Sequence, residues 1–215
     1  MRTLALLARK GGTGKTTLAV HLAVIASEAG HRVLLVDTDP QHSAGDWWRV
    51  RQTDAPQLVE CTARRVPAVL KAAREGGIDL AVIDTRPSVE GDTAEIARLA
   101  DAVLIPTRCG ILDLRAIRAT AEVIHALRRN GAAIVLNAVP ASRGIGENSL
   151  TAEARRALAA YGVPVSPVAI GNRAALAHAL IDGRSVTEFE PTGKAAGELR
   201  KLFHHTEKSL WPARP

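Results

Sequence analysis

Cysteine is scarce in this chain: among 215 residues there are two, Cys61 and Cys109. A disulfide framework is therefore excluded, and both are expected as free thiols in a cytoplasmic protein. No apolar run reaches the roughly eighteen residues that a spanning helix needs. The apolar N-terminus is short and passes straight into Lys-Gly-Gly without a cleavage site, unlike a signal peptide. The seven histidines show no metal-ligand spacing; His21, His31, His125 and His178 fall in apolar helical patterns or turns, where a structural role is expected. Repeats, low-complexity linkers and composition shifts are also missing, so residues 1–215 are expected to form one domain. Acid is in deficit, 22 Asp and Glu against 28 Lys and Arg, a net charge of +6 that favours contact with a polyanion.

What is present is an alternation of short apolar runs with longer helical patterns. The runs at 4–8, 33–36, 80–83, 102–105 and 133–136 lack polar alternation, as strands buried on both faces do. A last strand is expected within 163–170. Between the runs lie helical stretches, roughly 16–29, 43–53, 66–75, 90–100, 112–129, 149–161 and 192–208. The order predicts right-handed βαβ units in a mostly parallel twisted sheet with helices on both faces. Residues 144–148 form the longest expected flexible loop.

Between the first run and the first helix stands Lys10-Gly11-Gly12-Thr13-Gly14-Lys15-Thr16-Thr17. Strand, glycine-rich turn and helix is the context in which backbone N–H groups and a helix N-terminus cradle phosphate. Lys15 would reach the β- and γ-phosphates, and the Thr16 hydroxyl would sit on Mg²⁺. The ordinary pattern also asks for a glycine at position 9, where this chain has Arg9. In its place comes a second lysine, Lys10. Two further runs end in acids at the carboxyl edge of the expected sheet, where ligands gather in such folds: Asp37-Thr38-Asp39-Pro40-Gln41, and Asp84, a Walker B pattern suited to holding Mg²⁺.

Lys-Gly-Gly-Thr-Gly-Lys-Thr-Thr together with Asp-Thr-Asp-Pro-Gln resembles the ParA/MinD family of deviant Walker A ATPases, and most closely the small ParA-type partition ATPases. The resemblance runs from Lys10 to about residue 202. It implies a P-loop NTPase fold, ATP and Mg²⁺ as cofactors, and nucleotide contacts from Gly11, Gly12, Thr13, Gly14, Lys15, Thr16 and Thr17. Lys10 would cross an ATP-bound sandwich homodimer to the partner's nucleotide. Asp39 would position or activate the attacking water, Asp37 would support Mg²⁺ and the switch geometry, and Asn137 would read adenine. After Asp84 the chain departs from the family, continuing Thr85-Arg86-Pro87-Ser88; Arg86 is either a cation for the transition state or, the preferred reading, the partner of a nearby acid.

Function follows as an expectation from the resemblance. An ATP-bound dimer would bind DNA non-specifically, through Arg173, Arg184, Lys194 and Arg200, with Lys201 as an outlier. Slow hydrolysis, stimulated by a small centromere-binding partner, would drive segregation of plasmid or chromosome DNA at the nucleoid. With the loop beginning at residue 10, no N-terminal DNA-reading domain is expected. The alternatives are a related ATPase that positions other cargo, such as conjugative-transfer complexes or protein clusters, a nucleotide-gated scaffold, and a MinD-like membrane-surface switch. The last would use Leu199, Leu202, Phe203, Leu210 and Trp211 as a lipid-facing stripe, but the same spacing suits a terminal helix packed on the sheet, and a membrane partner is not expected. The pair Trp47-Trp48 could be core, dimer interface or partner site.

Overall fold

Six strands form one sheet in the computed structural model, which describes residues 1–87, 90–127, 131–142 and 146–211. They are β1 (Arg2–Leu6), β2 (Val33–Asp37), β3 (Gln57–Glu60), β4 (Leu80–Asp84), β5 (Ala102–Thr107) and β6 (Ala132–Leu136). Their order across the sheet is β3-β2-β4-β1-β5-β6, and every neighbouring pair is parallel. The expected α/β fold is thus borne out. Between the strands run α1 (Lys15–Glu28), α2 (Ser43–Val50), α3 (Val66–Glu75), α4 (Glu90–Leu99), α5 (Ile111–Ala126) and α6 (Ser149–Ala159). The chain closes with α7 (Ala174–Leu180), α8 (Val186–Phe189), α9 (Lys194–His205) and one π-helical turn, Thr206–Leu210. Ser88, positions 128–129 of the expected fifth helix and residues 144–145 of the expected loop lie outside the described residues.

The two faces of the sheet carry separate cores. Leu4, Leu6, Leu35, Val82, Leu104 and Val135 pack against α1, α2 and α7 to α9. On the other face Ala5, Val36, Ile83, Ile105 and Ile134 pack against α3 to α6. Alternation of side chains along each strand divides them so. Helix α1 is buried along nearly its whole length, Leu18 to Ala26, because the sheet covers one side and α9 the other. A helix enclosed on both sides reads as apolar all round.

Two expectations are corrected. Residues 163–170 form no ladder; they meet β6 through an isolated parallel bridge, Ile134 to Val165, and through the Ile170 N–H, which donates to the Leu136 carbonyl at 2.9 Å. Pro164 and Pro167 explain this, since neither has an N–H to donate to a ladder. Conversely, β3 has no counterpart among the expected strands. It is a four-residue edge strand with exposed ends, Gln57 and Glu60, too short and too polar to stand out in sequence.

The C-terminal stripe is used for packing. Leu199, Leu202, Phe203, Leu210 and Trp211 are all buried. Phe203 meets Trp211 edge-on at 6.2 Å, and the Arg2 guanidinium lies 4.9 Å from the Trp211 ring centre. Among the described residues no helix is long and apolar enough to cross a membrane. His21 is the structural histidine expected: fully buried, it accepts from the Val186 N–H at Nδ1 (3.2 Å), which leaves Nε2–H to donate to the Leu176 carbonyl (3.3 Å). Burial pushes its pKa down to about 4.

Candidate functional site

The loop between β1 and α1 leaves the sheet at its carboxyl edge. Gly12 and Gly14 take left-handed backbone, φ 72° and 94°, which side chains disfavour. At Gly14 space demands glycine as well, because a Cβ there would lie 2.1 Å from the Asn137 amide nitrogen. Asn137 follows directly on β6, and its Nδ2–H donates to the Thr13 carbonyl at 2.7 Å. The amide expected to read a base thus holds the phosphate loop from across the sheet. Helix α1 has no acid in its first turn and no side-chain cap, so its N-terminal N–H groups and dipole face the loop uncompensated. Gly11 and Gly12 are exposed, Thr16 and Thr17 half-buried.

The two lysines of the loop are treated oppositely. Lys15 is 6% exposed. Burial lowers its pKa, while the charges of Asp84 and Asp39 draw it back up. Lys10 points outward, 39% exposed at its side chain, and its Nζ lies 2.8 Å from Oδ1 of Asp113 in the first turn of α5. Nothing in the sequence pairs Asp113 with the loop.

Neighbouring strands set the acids side by side, since β2 and β4 pair with Asp37 opposite Asp84. Asp37 is fully buried. Its Oδ1 accepts from the Asp39 N–H (3.0 Å) and its Oδ2 from those of Ala44 and Gly45 (both 3.1 Å). Burial raises its pKa and these three N–H groups lower it. Both oxygens are engaged in shaping the turn and the start of α2. Asp39 is half-buried and accepts from the Gln41 N–H at 3.0 Å. Thr38 ties this segment to the next strand, its N–H and hydroxyl both donating to the Asp84 carbonyl at 3.0 Å.

Asp84 is different. It is fully buried, and neither carboxylate oxygen has a hydrogen-bond partner among the described residues. Burial pushes its pKa up to about 7; the nearby Thr16 hydroxyl and Lys15 favour the charged form, while Asp37 and Asp39 oppose it. Two orphaned oxygens beside a threonine hydroxyl and a buried lysine are the donor set that a hard divalent cation carried with nucleotide would satisfy. Arg86 is not aimed at this centre: its guanidinium holds Asp92 of α4, Nε to Oδ2 at 3.1 Å. The reading of Arg86 as an ion-pair partner is the one the geometry displays.

The four arginine and lysine positions expected to meet DNA are not alike. Arg173 is paired with Glu198 of α9, and Arg184 with Asp182 while lying 4.8 Å over the Phe189 ring. Arg200 donates to the Pro191 carbonyl at 2.6 Å. Lys194 is exposed at the start of α9, and Lys201 is exposed further along it. The tryptophans are packed. Trp47 is buried, donates to the Arg184 carbonyl at 3.2 Å and lies under the Arg51 guanidinium; Trp48 donates to the Pro56 carbonyl at 2.8 Å. Arg51 also reaches Gly183 and both oxygens of Glu188, clamping the end of α2 to α8.

Comparison with known proteins agrees with this geometry. Residues 4–186 match the family model for the CobQ/CobB/MinD/ParA nucleotide binding domain. A maintenance of carboxysome distribution protein A from Gloeobacter kilaueensis is 36% identical over 214 residues, covering 97% of this chain and 94% of that one. The protein of the same name from Halothiobacillus neapolitanus is 30% identical over 94% of both chains. The chromosome-partitioning ATPase Soj of Thermus thermophilus is 27% identical, again over 94% of both. Among solved structures, the ATP complex of Cyanothece McdA superposes with a TM-score of 0.78 at 18% identity, covering 100% of this chain and 98% of that one.

Proposed function

The chain belongs to the CobQ/CobB/MinD/ParA nucleotide-binding family, and from that premise we propose that it is an ATP-driven positioning switch. ATP and Mg²⁺ join two copies face to face, the dimer binds DNA without reading sequence, and slow hydrolysis dissolves it. The loop N–H groups and Lys15 hold the phosphates, Thr16 and Asp84 hold Mg²⁺, Asp39 positions the attacking water, and Asn137 braces the loop beside the base. The reaction is positioning and charge stabilisation more than covalent chemistry. The cation would supply charge neutralisation at the phosphates, and Asp37 keeps Asp39 in place through its backbone N–H.

The observation that carries this reading is the opposed placement of two lysines in one loop. Lys15 is enclosed with Asp84 and Asp39, so it serves its own subunit's phosphates. Lys10 is half-exposed and held outward by Asp113, a placement that supports a role towards a second copy. A cargo other than segregating DNA gains support from the relatives at 36% and 30% identity, both named for distributing carboxysomes. The cargo class proposed is accordingly a large cellular assembly, connected by a small partner protein that stimulates hydrolysis; DNA serves as the track. Sizing and random-duplex binding of wild type and Lys10→Ala without nucleotide, with ADP and with ATP–Mg²⁺ test the cycle. Expected is a DNA-binding dimer in wild type with ATP alone. A Lys10→Ala protein that dimerises equally well would refute the role of Lys10.

A further inference from the structure

The structure places a set of unpaired cations where no motif pointed, on the 3₁₀ turn Ala63–Arg65 and the following helix α3. Arg64, Arg65, Lys71 and Arg74 are all exposed, against a single acid in that stretch, Glu75. The side chains of Arg64, Lys71 and Arg74 make no ion pair, hydrogen bond or ring contact with any described residue. On α3, with 3.6 residues per turn, Lys71 and Arg74 project about 60° apart, and Arg64 stands on the 3₁₀ turn that leads into the helix. Helix α4 packs against the turn. The opposite side of α3 is fixed to the sheet by Val66, Leu70 and Ala73, so the cations sit on a rigid support. The turn follows β3 and therefore begins at the same edge of the sheet as the phosphate loop.

We propose that this face of the turn and α3 is the surface that grips the sugar-phosphate backbone of duplex DNA. The inference rests on the DNA-binding step of the proposed cycle and assigns it a place. Charge carries it: Arg173 and Arg184 are held in ion pairs with local acids, whereas Arg64, Lys71 and Arg74 form none with a described residue, Glu75 included. Three of the four are arginines, whose planar forks suit phosphate. The residues between them that reach solvent are Pro67, Ala68 and Ala72, small enough to let a backbone approach. A lipid surface is the poorer occupant, because membrane-lying helices present large apolar side chains beside their cations and this face has none.

The test is the triple variant Arg64→Gln, Lys71→Gln, Arg74→Gln, three exposed positions at which glutamine keeps helix propensity. Random-duplex binding with ATP–Mg²⁺ is titrated across salt, alongside sizing, ATP hydrolysis and retention on phosphatidylserine vesicles. The expected result is dimerisation and unstimulated hydrolysis as in wild type, with DNA affinity down at least on the order of 100-fold at about 0.1 M salt and the log–log salt slope shallower by about 2.7 for each subunit whose face engages the duplex, three phosphate contacts at ~0.9 each. A wild-type slope in the triple variant overturns the assignment, as does a loss confined to the companion variant Lys194→Gln, Lys201→Gln. Vesicle retention that vanishes in the triple variant, without duplex binding in wild type, replaces DNA by a membrane. Wild type that dimerises with ATP and binds no duplex overturns the DNA step of the cycle itself, and the assignment with it.

Discussion

Replacing Asp84 by asparagine should stabilise the nucleotide-free protein. An acid that ionises at 3.8 in the unfolded chain and at about 7 in the fold costs ~4 kcal/mol to keep charged above neutrality, at about 1.4 kcal/mol per pH unit. Its folded pKa is raised, so the stability is fully present below pH 3.8 and is lost as pH rises towards 7. The amide introduced by Asp84→Asn carries no charge to bury, although it inherits the site without partners and surrenders roughly 1–3 kcal/mol of the gain. About 2 kcal/mol should remain at pH 8, a rise in Tm of roughly 4–8 °C for a chain of this size. Thermal melts with EDTA at pH 8 measure it. With ATP and Mg²⁺ the order should reverse, because wild type gains ligand-linked stability that the variant largely forgoes. An Asp84→Asn protein that melts below wild type in EDTA would refute the reasoning, since it would mean that the carboxylate is satisfied without a cation.

Three further outcomes are expected. Neutral His21, with a folded pKa of about 4 against an ordinary 6.5, should make stability decline by ~3 kcal/mol as pH falls from 6.5 to 4; chemical denaturation in the Asp84→Asn background, which removes the opposing trend, should show the decline, and His21→Gln should abolish it. Asp113→Asn removes the local partner of Lys10; each half-exposed pair is worth ~1 kcal/mol at most and a dimer releases two, so ATP-dependent dimerisation measured by analytical ultracentrifugation should tighten by up to about 30-fold, and weaker dimerisation would show that Asp113 serves the dimer rather than competing with it. Arg51→Ala leaves Glu188 and the Gly183 carbonyl without their buried cation; with Glu188 part-exposed the loss should be ~2–3 kcal/mol in urea denaturation, and a change under about 1 kcal/mol would mean that water replaces the guanidinium.

How much of this was legible in the sequence depended on how far apart the interacting residues lie. Strands β1, β2, β4, β5 and β6 are continuous apolar runs because helices cover both faces of the sheet, and burial on two faces writes itself into every position. An edge strand such as β3 has no such obligation, and Gln57 and Glu60 disguise it. The reverse error at 163–170 arises because Val163, Val165, Val168 and Ile170 have strand composition, while Pro164 and Pro167 forbid the ladder. Within the site, the loop and its acids were readable because each follows its own strand end at fixed spacing. The Asn137 clasp on Thr13 spans 124 residues and the Lys10–Asp113 contact joins the phosphate loop to the first turn of α5. Such contacts have no local pattern. The same reason limited the reading of charge, because whether Arg173 is free depends on Glu198, which only the fold brings to it.

The energetics of Asp84 and Lys10 bear on how a single site can act as a switch. A ligand shifts an equilibrium only by its differential affinity for the two states. Without nucleotide, an ionised Asp84 costs ~4 kcal/mol, and in the proposed cycle the attachment of Lys10 to Asp113 would favour the isolated subunit. In the proposed cycle a divalent cation arriving with a triphosphate would relieve the first, and a phosphate presented by a second copy would compete for the second. Nucleotide and partner subunit would then act on one short segment, residues 10–16. Their coupling should then be reciprocal: whatever factor by which ATP–Mg²⁺ strengthens dimerisation, dimerisation must strengthen ATP–Mg²⁺ binding by the same factor. Measuring nucleotide affinity at protein concentrations well below and well above the dimer midpoint tests this, and Lys10→Ala should show one low affinity at both. Two equal affinities in wild type would mean that Lys10 contributes nothing across the interface, however outward it points.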